Sequence, residues 1–487
     1  MKDHTHQYRR SAAACALMLG LLATTGAVQT ETAKNIILLI SDGCGYSHVD
    51  AATIYQYGAP GRQVYEQFPV GCGMRTTALL DNGQEMKYEP ELVWKNFTEV
   101  MKYFTDSSAS ATAMSCGTKT VNGALGVDRQ QRPLKHVAEQ AEDLGKSVGL
   151  VTSVQWCHAT PAGFVAHNSS RGNYAEIARE MLLDSRCEVI MGCGHPLFND
   201  DGQPAPESDF TYVAGPSIWA GLVAGQTDFD TDGDGAPDKT VADIDDDGTA
   251  DPWTLIQAHA DFQWLQAGPT PKRVLGIPQV RSTLQYNRGG SGSYEPAGDS
   301  GERPYSTPLV ENVPTLAEMT RGALNVLDND PDGFFLMVEG GAVDWAAHGH
   351  NEARLIEEEI DFNQAVECAV KWVEERGAWD QTLVIVTGDH ETGYLTGPGS
   401  GLGVDASLGG PAYTWHPLVS NGPGQMPGME WHSDNHTNSL IPLYARGPGS
   451  QYFQDYVEGT DPVRGPYIDN TAVAKVVGRC LEPAQGD

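Results

Sequence analysis

The sequence predicts an α/β fold with a large, mostly parallel central sheet and helices on both faces. Three short apolar runs are typical of strands buried on both faces, namely residues 35–41, 334–338 and 382–387. Segments with helical spacing alternate with such runs over most of the 487 residues, as in a doubly wound sheet. A chain of this length can bury a large core, as one domain with insertions.

The elements are predicted in chain order from periodicity and from Gly at their ends. After the strand at 35–41 come a helix over His48–Tyr57, a helix from Ser107, and a helix over Lys135–Leu144 that stops at Gly145. Strands at Ser147–Thr152 and Glu188–Met191 follow. Between the strands at 334–338 and 382–387, apolar side chains on one face predict a helix over 352–376 that stops at Gly377.

Two segments depart from this alternation. Residues from about 197 to 310 shift to Gly, Pro, Asp and Ser, which predicts an insertion into the α/β domain of residues 28–487. Residues from about 396 to 430 are also rich in Gly and Pro and predict a long surface excursion. A last strand, Leu440–Ala445, is expected shortly after His436.

Residues 1–27 predict a secretory signal peptide. Three basic residues precede the apolar run 12–23, and Thr25-Gly26-Ala27 is an acceptable cleavage site. A membrane anchor is the alternative, but the run is short and is interrupted by Gly and Thr. We therefore expect an exported protein, periplasmic or extracellular, with no membrane span.

The charge balance limits the partners. The formal net charge is −33, which argues against nucleic acid as a partner. An anionic ligand would be repelled at long range, so a phosphate-type ligand needs local positive charge, and bound metal ions are the obvious source.

Eight cysteines remain after Cys15 of the signal is set aside, an even number that favours structural disulfides in an exported protein. Cys187 and Cys193 are close enough in sequence to pair, although the connectivity stays open.

Two loops of the predicted insertion, within 228–251, follow the pattern D-x-D-x-D-G-x-x-D. Alternate aspartates can wrap a hard cation, so we expect structural calcium there; a solvated acidic loop is the alternative. Neither loop has the twelfth-position Glu of a full EF-hand. The candidate ligands are Asp230, Asp232, Asp234 and Asp238 in one loop and Asp243, Asp245, Asp247 and Asp251 in the other.

Potential zinc and magnesium ligands follow the predicted buried strands. Ligands gather at the carboxyl edge of open α/β sheets, so these side chains are expected to meet there. They supply enough nitrogen and oxygen donors for two zinc ions and a harder cation, which points to a hydrolytic metal site. The set is Asp42, Glu339, Asp344, His348, Asp389, His390 and the downstream His436.

Ser107 lies at a predicted helix start, where free N–H groups and the helix dipole suit a phosphate. On its own, an ordinary N-cap is the better interpretation of such a serine. Because the same chain also carries the metal-ligand set, the phosphate-binding interpretation of Ser107 becomes the favoured one.

Six blocks, in order from residue 35 to about 450, resemble those of the alkaline phosphatase family. They are ISDG with Asp42, TDSSASATA with Ser107, HATPAGFVAHNSSR with Thr160 and Arg171, MVEGGAVDWAAHGH with Glu339, Asp344 and His348, TGDHETG with Asp389 and His390, and WHSDNHTNSLIPLYARG with His436.

The resemblance implies an α/β phosphomonoesterase, a homodimer with two zinc ions and one magnesium ion that forms a phosphoserine on Ser107 and holds phosphate with Arg171. It implies one zinc at Asp42, Asp389 and His390, a second at Asp344, His348 and His436, and magnesium at Asp42, Thr160 and Glu339. His158 is expected to contact the magnesium through water, Trp345 to lie beside the phosphate, and Asp106 to orient Arg171.

Other functions stay open from the sequence. A sulfatase needs a C-x-P-x-R motif, which is missing around Ser107. A phosphodiesterase of the same superfamily commonly has Thr at the nucleophile and lacks the arginine. A calcium-stabilised binding protein with a relic metal site is a further alternative, but every expected catalytic position is occupied.

Overall fold

The computed structural model describes residues 31–289, 303–405 and 410–481, so the predicted signal peptide lies outside the described residues. The strands are β1 Asn35–Ser41, β2 Val70–Arg75, β3 Ser147–Gln155, β4 Val189–Cys193, β5 Asp228–Phe229, β6 Lys239–Thr240, β7 Thr254–Ile256, β8 Val274–Gly276, β9 Phe334–Gly340, β10 Thr382–Gly388, β11 Glu391–Thr392, β12 Gly401–Asp405, β13 Gly410–Thr414, β14 His436–Thr437, β15 Ile441–Arg446, β16 Val457–Asp461 and β17 Gly465–Asp469. The α-helices are α1 Tyr46–Tyr57, α2 Pro90–Val93, α3 Phe97–Val100, α4 Ser107–Cys116, α5 Val137–Asp143, α6 Ala159–Ala162, α7 Tyr174–Leu183, α8 Pro216–Val223, α9 His259–Leu265, α10 Leu316–Leu327, α11 Ala342–His348, α12 Glu352–Glu375 and α13 Thr471–Leu481. Short 3₁₀ helices cover Val64–Gln67, Thr211–Val213 and Ser450–Tyr456.

The predicted fold class is confirmed. An 11-stranded sheet has the order β16-β17-β2-β15-β10-β1-β9-β3-β4-β8-β7. All strand pairs from β10 to β7 in this order are parallel, and β15 runs antiparallel to both of its neighbours.

Both faces of the sheet are buried, as the continuous apolar runs predict. In β1, Leu38 packs on one side with side chains of α4, α5, α7 and α13. Its neighbour Leu39 packs on the other side with side chains of α1, α10, α11 and α12. This alternation places helices on both faces and leaves the strand ends as the place where polar side chains can gather.

The predicted insertion contributes to the main sheet. β7 and β8 continue the parallel order beyond β4, while β5 and β6 form a separate two-stranded ribbon beside the acidic loops. The excursion at 396–430 contains a second ribbon, formed by β12 and β13.

The prediction that Leu440–Ala445 is the last strand is wrong. β16, β17 and α13 follow it, and β2 lies between β15 and β17. β16 is at the edge of the sheet, is mostly exposed and carries charged residues, so its sequence lacks the apolar run that marks a buried strand.

The expected disulfides are not found: all eight cysteines in the described residues are free. Cys187 and Cys193 cannot pair because the chain between them runs into the extended strand β4. Six residues of extended chain span roughly 20 Å, whereas a disulfide needs Cα atoms about 4.4–6.8 Å apart.

Among the described residues, no helix is long and apolar enough to cross a membrane.

Candidate active site

Strand register brings the predicted metal ligands to one edge of the sheet. Ser41, the last residue of β1, lies opposite both Gly340 of β9 and Gly388 of β10. Asp42 and Asp389 follow directly after these ends, and Glu339 is one residue before the end of β9. The paired strands β11 and β14 then place His436 opposite Thr392, two residues after His390.

Asp42, Asp389 and His390 form a buried group whose ligand atoms lie within 4.8 Å of one another. The Nε2 atom of His390 is 3.5 Å from Asp42 Oδ1 and 3.2 Å from Asp389 Oδ2. The other oxygen of Asp389 accepts hydrogen bonds from the backbone N–H groups of Gly43 and His390, which orients the carboxylate. This geometry supplies two oxygens and one nitrogen to a cation.

Asp344, His348 and His436 form an adjoining group. Asp344 Oδ1 is 3.5 Å from the Nε2 atoms of both histidines, and these two nitrogens are 3.0 Å apart. Asp344 also accepts a 2.6 Å hydrogen bond from Thr392, and the His436 ring is stacked on His390 with centroids 3.7 Å apart. The two groups are therefore contiguous.

The remaining nitrogens of the two histidines contact backbone oxygens. Nδ1 of His348 lies 2.8 Å from the carbonyl of Asp434, and Nδ1 of His436 lies 2.8 Å from the carbonyl of Thr105. Such bonds place the N–H on Nδ1 and leave Nε2 as the ligand atom.

The other predicted magnesium ligands, Thr160 and Glu339, lie close to Asp42 of the first metal-ligand group. Thr160 Oγ1 lies 3.5 Å from Asp42 Oδ2, and Glu339 accepts a hydrogen bond from Thr152. Thr152 was not among the predicted site residues. It lies opposite Glu339 in the pairing of β3 with β9, so the signal that could identify it is strand register, which a single sequence does not contain.

Ser107 is the first residue of α4, and its hydroxyl is 3.3 Å from His390 Nε2. Asp106 is the N-cap and accepts a hydrogen bond from the backbone N–H of Ala109. The expected helix start is therefore confirmed, and Asp106, not Ser107, is the capping residue. Ser107 is left with its hydroxyl directed at the metal-ligand group.

Arg171 reaches the same place from the loop after α6. Its Nη1 donates a 3.1 Å hydrogen bond to Asp106 Oδ2, as expected from the sequence, and its backbone N–H donates to the carbonyl of Gly123. Burial lowers the pKa of Arg171, but the charge and hydrogen bond of Asp106 together with the charge of Asp42 raise it, and the net shift is upward. A fixed positive charge therefore faces Ser107.

The clustered carboxylates require a counter-charge. Burial, and then the charge of Asp389, raise the pKa of Asp42. Burial raises the pKa values of Asp389 and Glu339 to about 7. Asp42 Oδ1, Asp389 Oδ2 and Glu339 Oε1 are buried without a hydrogen-bond partner among the described residues. Unpaired carboxylate oxygens and imidazole nitrogens in one cluster fit divalent cations.

An open cavity of about 640 Å³ leads to this cluster. Ser107, Arg171, Asp344, His348 and His436 line it together with His158 and Trp345. Tyr286 and Asn287 also line it, although both belong to the predicted insertion. The Tyr286 hydroxyl donates a 3.0 Å hydrogen bond to the Trp345 carbonyl. These two residues were not predicted, because no motif marks a loop that folds back onto a distant helix.

The acidic loops lie apart from this cavity. Asp230, Asp232 and Asp234 form one cluster of carboxylates, and Asp243, Asp245 and Asp251 form another. The Lys272 ammonium lies 2.5 Å from Asp245 and 2.6 Å from Asp251, so the second cluster already has a cation of its own.

Comparison with known proteins identifies the family. The alkaline phosphatase family profile matches residues 33–410. The chain is 33% identical to alkaline phosphatase of Escherichia coli over 394 residues, covering 76% of this chain and 72% of the relative. It is 29% identical to streptomycin-6-phosphate phosphatase of Streptomyces griseus over 510 residues, covering 97% of each chain.

A solved structure shows the same fold. A variant of the alkaline phosphatase from the Antarctic bacterium TAB5, with magnesium bound, superposes with a TM-score of 0.58 at 23% identity, covering 93% of this chain and 99% of that one. This chain therefore belongs to the alkaline phosphatase family and is a metal-binding phosphomonoesterase.

Proposed function

We propose that this protein is an exported phosphatase that hydrolyses phosphate monoesters through a phosphoserine on Ser107. The position of Ser107 carries the proposal. Its hydroxyl lies at the first turn of α4, beside His390, in the cavity that Arg171 also lines. The side chain is only 2% exposed, so a nucleophile formed there is shielded from bulk water.

The donor sets support two zinc ions and one magnesium ion. Asp42, Asp389 and His390 would hold one zinc next to Ser107, and Asp344, His348 and His436 the other. Asp42, Thr160 and Glu339 would hold magnesium, with His158 contacting it through water; the magnesium bound by the TAB5 variant is consistent with this. Bound there, the cations would lower the pKa of the serine hydroxyl and neutralise charge that develops on the phosphate oxygens.

The residues of the chain then perform the following steps. Arg171 holds two non-bridging phosphate oxygens through its planar fork, and Asp106 keeps the guanidinium in place. Ser107 Oγ gives its proton to a solvent base (water or hydroxide) and bonds to phosphorus, while the bond from phosphorus to the leaving oxygen breaks on the opposite side with its electron pair. The leaving oxygen takes a proton from water and departs as the alcohol. Water then cleaves the phosphoserine, which releases inorganic phosphate and restores the hydroxyl.

The first experiment compares kcat/KM for an aryl phosphate monoester with that for the matching diester, at mildly alkaline pH with zinc and magnesium. We expect a strong monoester preference that a chelator abolishes. Ser107→Ala should lower kcat on the order of 10³-fold or more. Ser115→Ala is the matched control, because Ser115 is on the same helix and bonds only to nearby backbone and Cys116.

The phosphoserine itself is tested by acid quenching during turnover, which should trap phosphate on the peptide that contains Ser107. A diester preference would retain the metal site but contradict the roles given to Arg171 and to the magnesium ligands. No turnover of either ester with zinc bound would favour the binding-protein alternative.

Calcium binding is proposed for both acidic loops and is expected to be stronger in the first, because Lys272 neutralises part of the charge of the second. The first loop carries Asp230, Asp232, Asp234 and Asp238, and the second carries Asp243, Asp245, Asp247 and Asp251. Calorimetric titration of the apoprotein with calcium, compared for the wild type and Asp230→Asn, tests this. Export and a homodimer are proposed on the predicted signal peptide and on family resemblance, with 396–430 as the candidate interface.

A further inference from the structure

A second group of imidazole and carboxylate side chains lies outside the catalytic cavity. His136 is the N-cap of α5, Glu139 lies in the first turn of that helix, and His167 follows α6. Their ligand atoms lie within 4.8 Å of one another, and the two rings have centroids 4.4 Å apart. None of the three lines the cavity that contains Ser107.

We propose that His136, Glu139 and His167 form a further binding site for a zinc-type divalent cation. Glu139 Oε2 lies 3.1 Å from His136 Nδ1 and 3.9 Å from His167 Nε2. A tetrahedral zinc with bonds of about 2.0–2.1 Å has ligands about 3.3 Å apart, so small rotations of the side chains complete the geometry. Two imidazoles with one carboxylate favour zinc or a similar transition metal over calcium or magnesium.

The surroundings of His167 match those of a metal-bound histidine. Its Nδ1 lies 3.2 Å from Glu180 Oε1, and Glu180 also accepts a hydrogen bond from the His167 backbone N–H. A carboxylate on one ring nitrogen fixes the tautomer in which the other nitrogen presents its lone pair to a metal. The Leu134 carbonyl lies 2.9 Å from His167 Nε2, so a cation bound at Nε2 would replace a proton that this nitrogen could otherwise share with the carbonyl.

His136 offers its Nδ1 atom to the proposed site. It is fully buried, and its Nε2 has no hydrogen-bond partner among the described residues, so only Nδ1 is engaged, with Glu139. Glu139 and Glu180 together balance the two charges of a bound cation.

The site has room for a fourth ligand. Glu139 and His167 line an open surface cavity of about 590 Å³, through which an ion and a water molecule can enter. Three protein ligands with one open position are a common arrangement for zinc.

A cation here would stabilise the loop that carries Arg171. His167 is followed by Asn168, which pairs through two backbone hydrogen bonds with Leu125, and Arg171 N–H donates to Gly123. The cation would tie this loop to α5 through His136 and Glu139, and to α7 through Glu180. We therefore expect loss of this cation to lower the thermal stability of the protein and to change kcat little.

The test measures zinc content and thermal stability of the holoenzyme after dialysis against trace zinc. Wild type is compared with Glu139→Gln and with His167→Asn, and Glu142→Gln is the matched control because Glu142 lines the same cavity but is not a ligand. We expect each ligand variant to lose one equivalent of zinc and to keep kcat within about twofold, whereas the control loses neither zinc nor stability.

A second arm places Asp389→Ala and His436→Ala in one chain to remove the catalytic ligands and titrates that protein with zinc chloride. One equivalent should still bind with a rise in Tm, and adding Glu139→Gln should abolish both. Equal zinc content in wild type and both ligand variants, or no binding in the second arm, would overturn the proposal. Neither outcome depends on the phosphoserine mechanism, which the Ser107→Ala assay tests separately.

Discussion

At the scale of single residues, one carboxylate contacts both the helix that begins with the proposed nucleophile and the arginine proposed to bind phosphate. Asp106 caps α4 through Ala109, accepts a 2.6 Å hydrogen bond from Ser108, and holds Arg171 at 3.1 Å. Because the helix start and the guanidinium share this anchor, Ser107 and Arg171 keep a constant separation. The geometry proposed to hold phosphate is thus built before substrate arrives.

Replacing Arg171 with Lys tests whether the paired N–H groups of the planar guanidinium are needed to hold phosphate. Lysine keeps the charge but loses the paired N–H groups that match two phosphate oxygens. We expect kcat/KM for the monoester to fall by roughly 10- to 100-fold, equivalent to about 1.4–2.8 kcal/mol. Steady-state kinetics with an aryl phosphate measure the loss. An unchanged kcat/KM would show that Arg171 contributes charge alone.

At the scale of elements, a buried ion-pair network fixes the predicted insertion to α12. Glu357 of α12 lies 2.6 Å from Arg288 and 3.2 Å from Arg354, and the three side chains are at most 2% exposed. Arg288 also donates to the carbonyl oxygens of Thr307 and Pro308. The network holds the segment that carries Tyr286 and Asn287 against the catalytic cavity.

Arg288→Met should destabilise the protein by about 3 kcal/mol or more, because removal of one partner of a buried pair leaves polar groups unsatisfied. The matched control is Arg321→Met, whose partner Glu375 is more than half exposed. That pair lies at the surface, and its loss should cost about 1 kcal/mol or less. Urea unfolding of both variants measures the difference, and equal losses would contradict the role of the network.

Glu358 of α12 makes stability depend on pH. Burial, and then the charges of Asp361 and Glu357, raise its pKa from 4.5 to about 8. Between these two pKa values the folded protein holds a proton that the unfolded chain has lost. The free energy of unfolding therefore falls as pH rises through this range, by about 1.4 kcal/mol per pH unit. Glu358→Gln should flatten the fall of the urea midpoint between pH 5 and 8, whereas the exposed Glu374→Gln should not.

At the scale of the whole molecule, metal ions reconcile an acidic protein with an anionic substrate. The net charge of −33 repels phosphate, and the cluster of Asp42, Glu339, Asp344 and Asp389 adds to the repulsion locally. Bound cations invert the local charge, and Arg171 adds to it. Metal binding therefore supports both the fold at the sheet edge and the affinity for substrate.

Removal of the metals should lower both activity and Tm, and the fall in Tm should depend on pH. Without cations, Glu339 and Asp389 have pKa values of about 7, so protons replace metals at pH 5 but not at pH 8. We expect a larger decrease in Tm on chelation at pH 8 than at pH 5. Calorimetric scans with and without a chelator measure this, and a decrease independent of pH would contradict it.

The sequence alone determined the fold class and the positions of the candidate metal ligands, because buried parallel strands appear as local apolar runs and the candidate ligands follow within a few residues. Asp42 after β1 and Asp389 and His390 after β10 needed no knowledge of distant contacts. Ser107 was singled out differently, by its place at a predicted helix start together with the metal-ligand set and the family resemblance.

Tertiary structure decided what local patterns do not contain. Thr152 joins the site through strand register, and Tyr286 and Asn287 reach the cavity because a buried ion-pair network returns the insertion to α12. β16 and β17 escaped prediction because neither has a continuous apolar run: β16 is the exposed edge strand, and in β17 only the last three residues are buried. Contacts between residues far apart in sequence depend on the packing of the whole core, so they cannot be predicted from a short segment of one sequence.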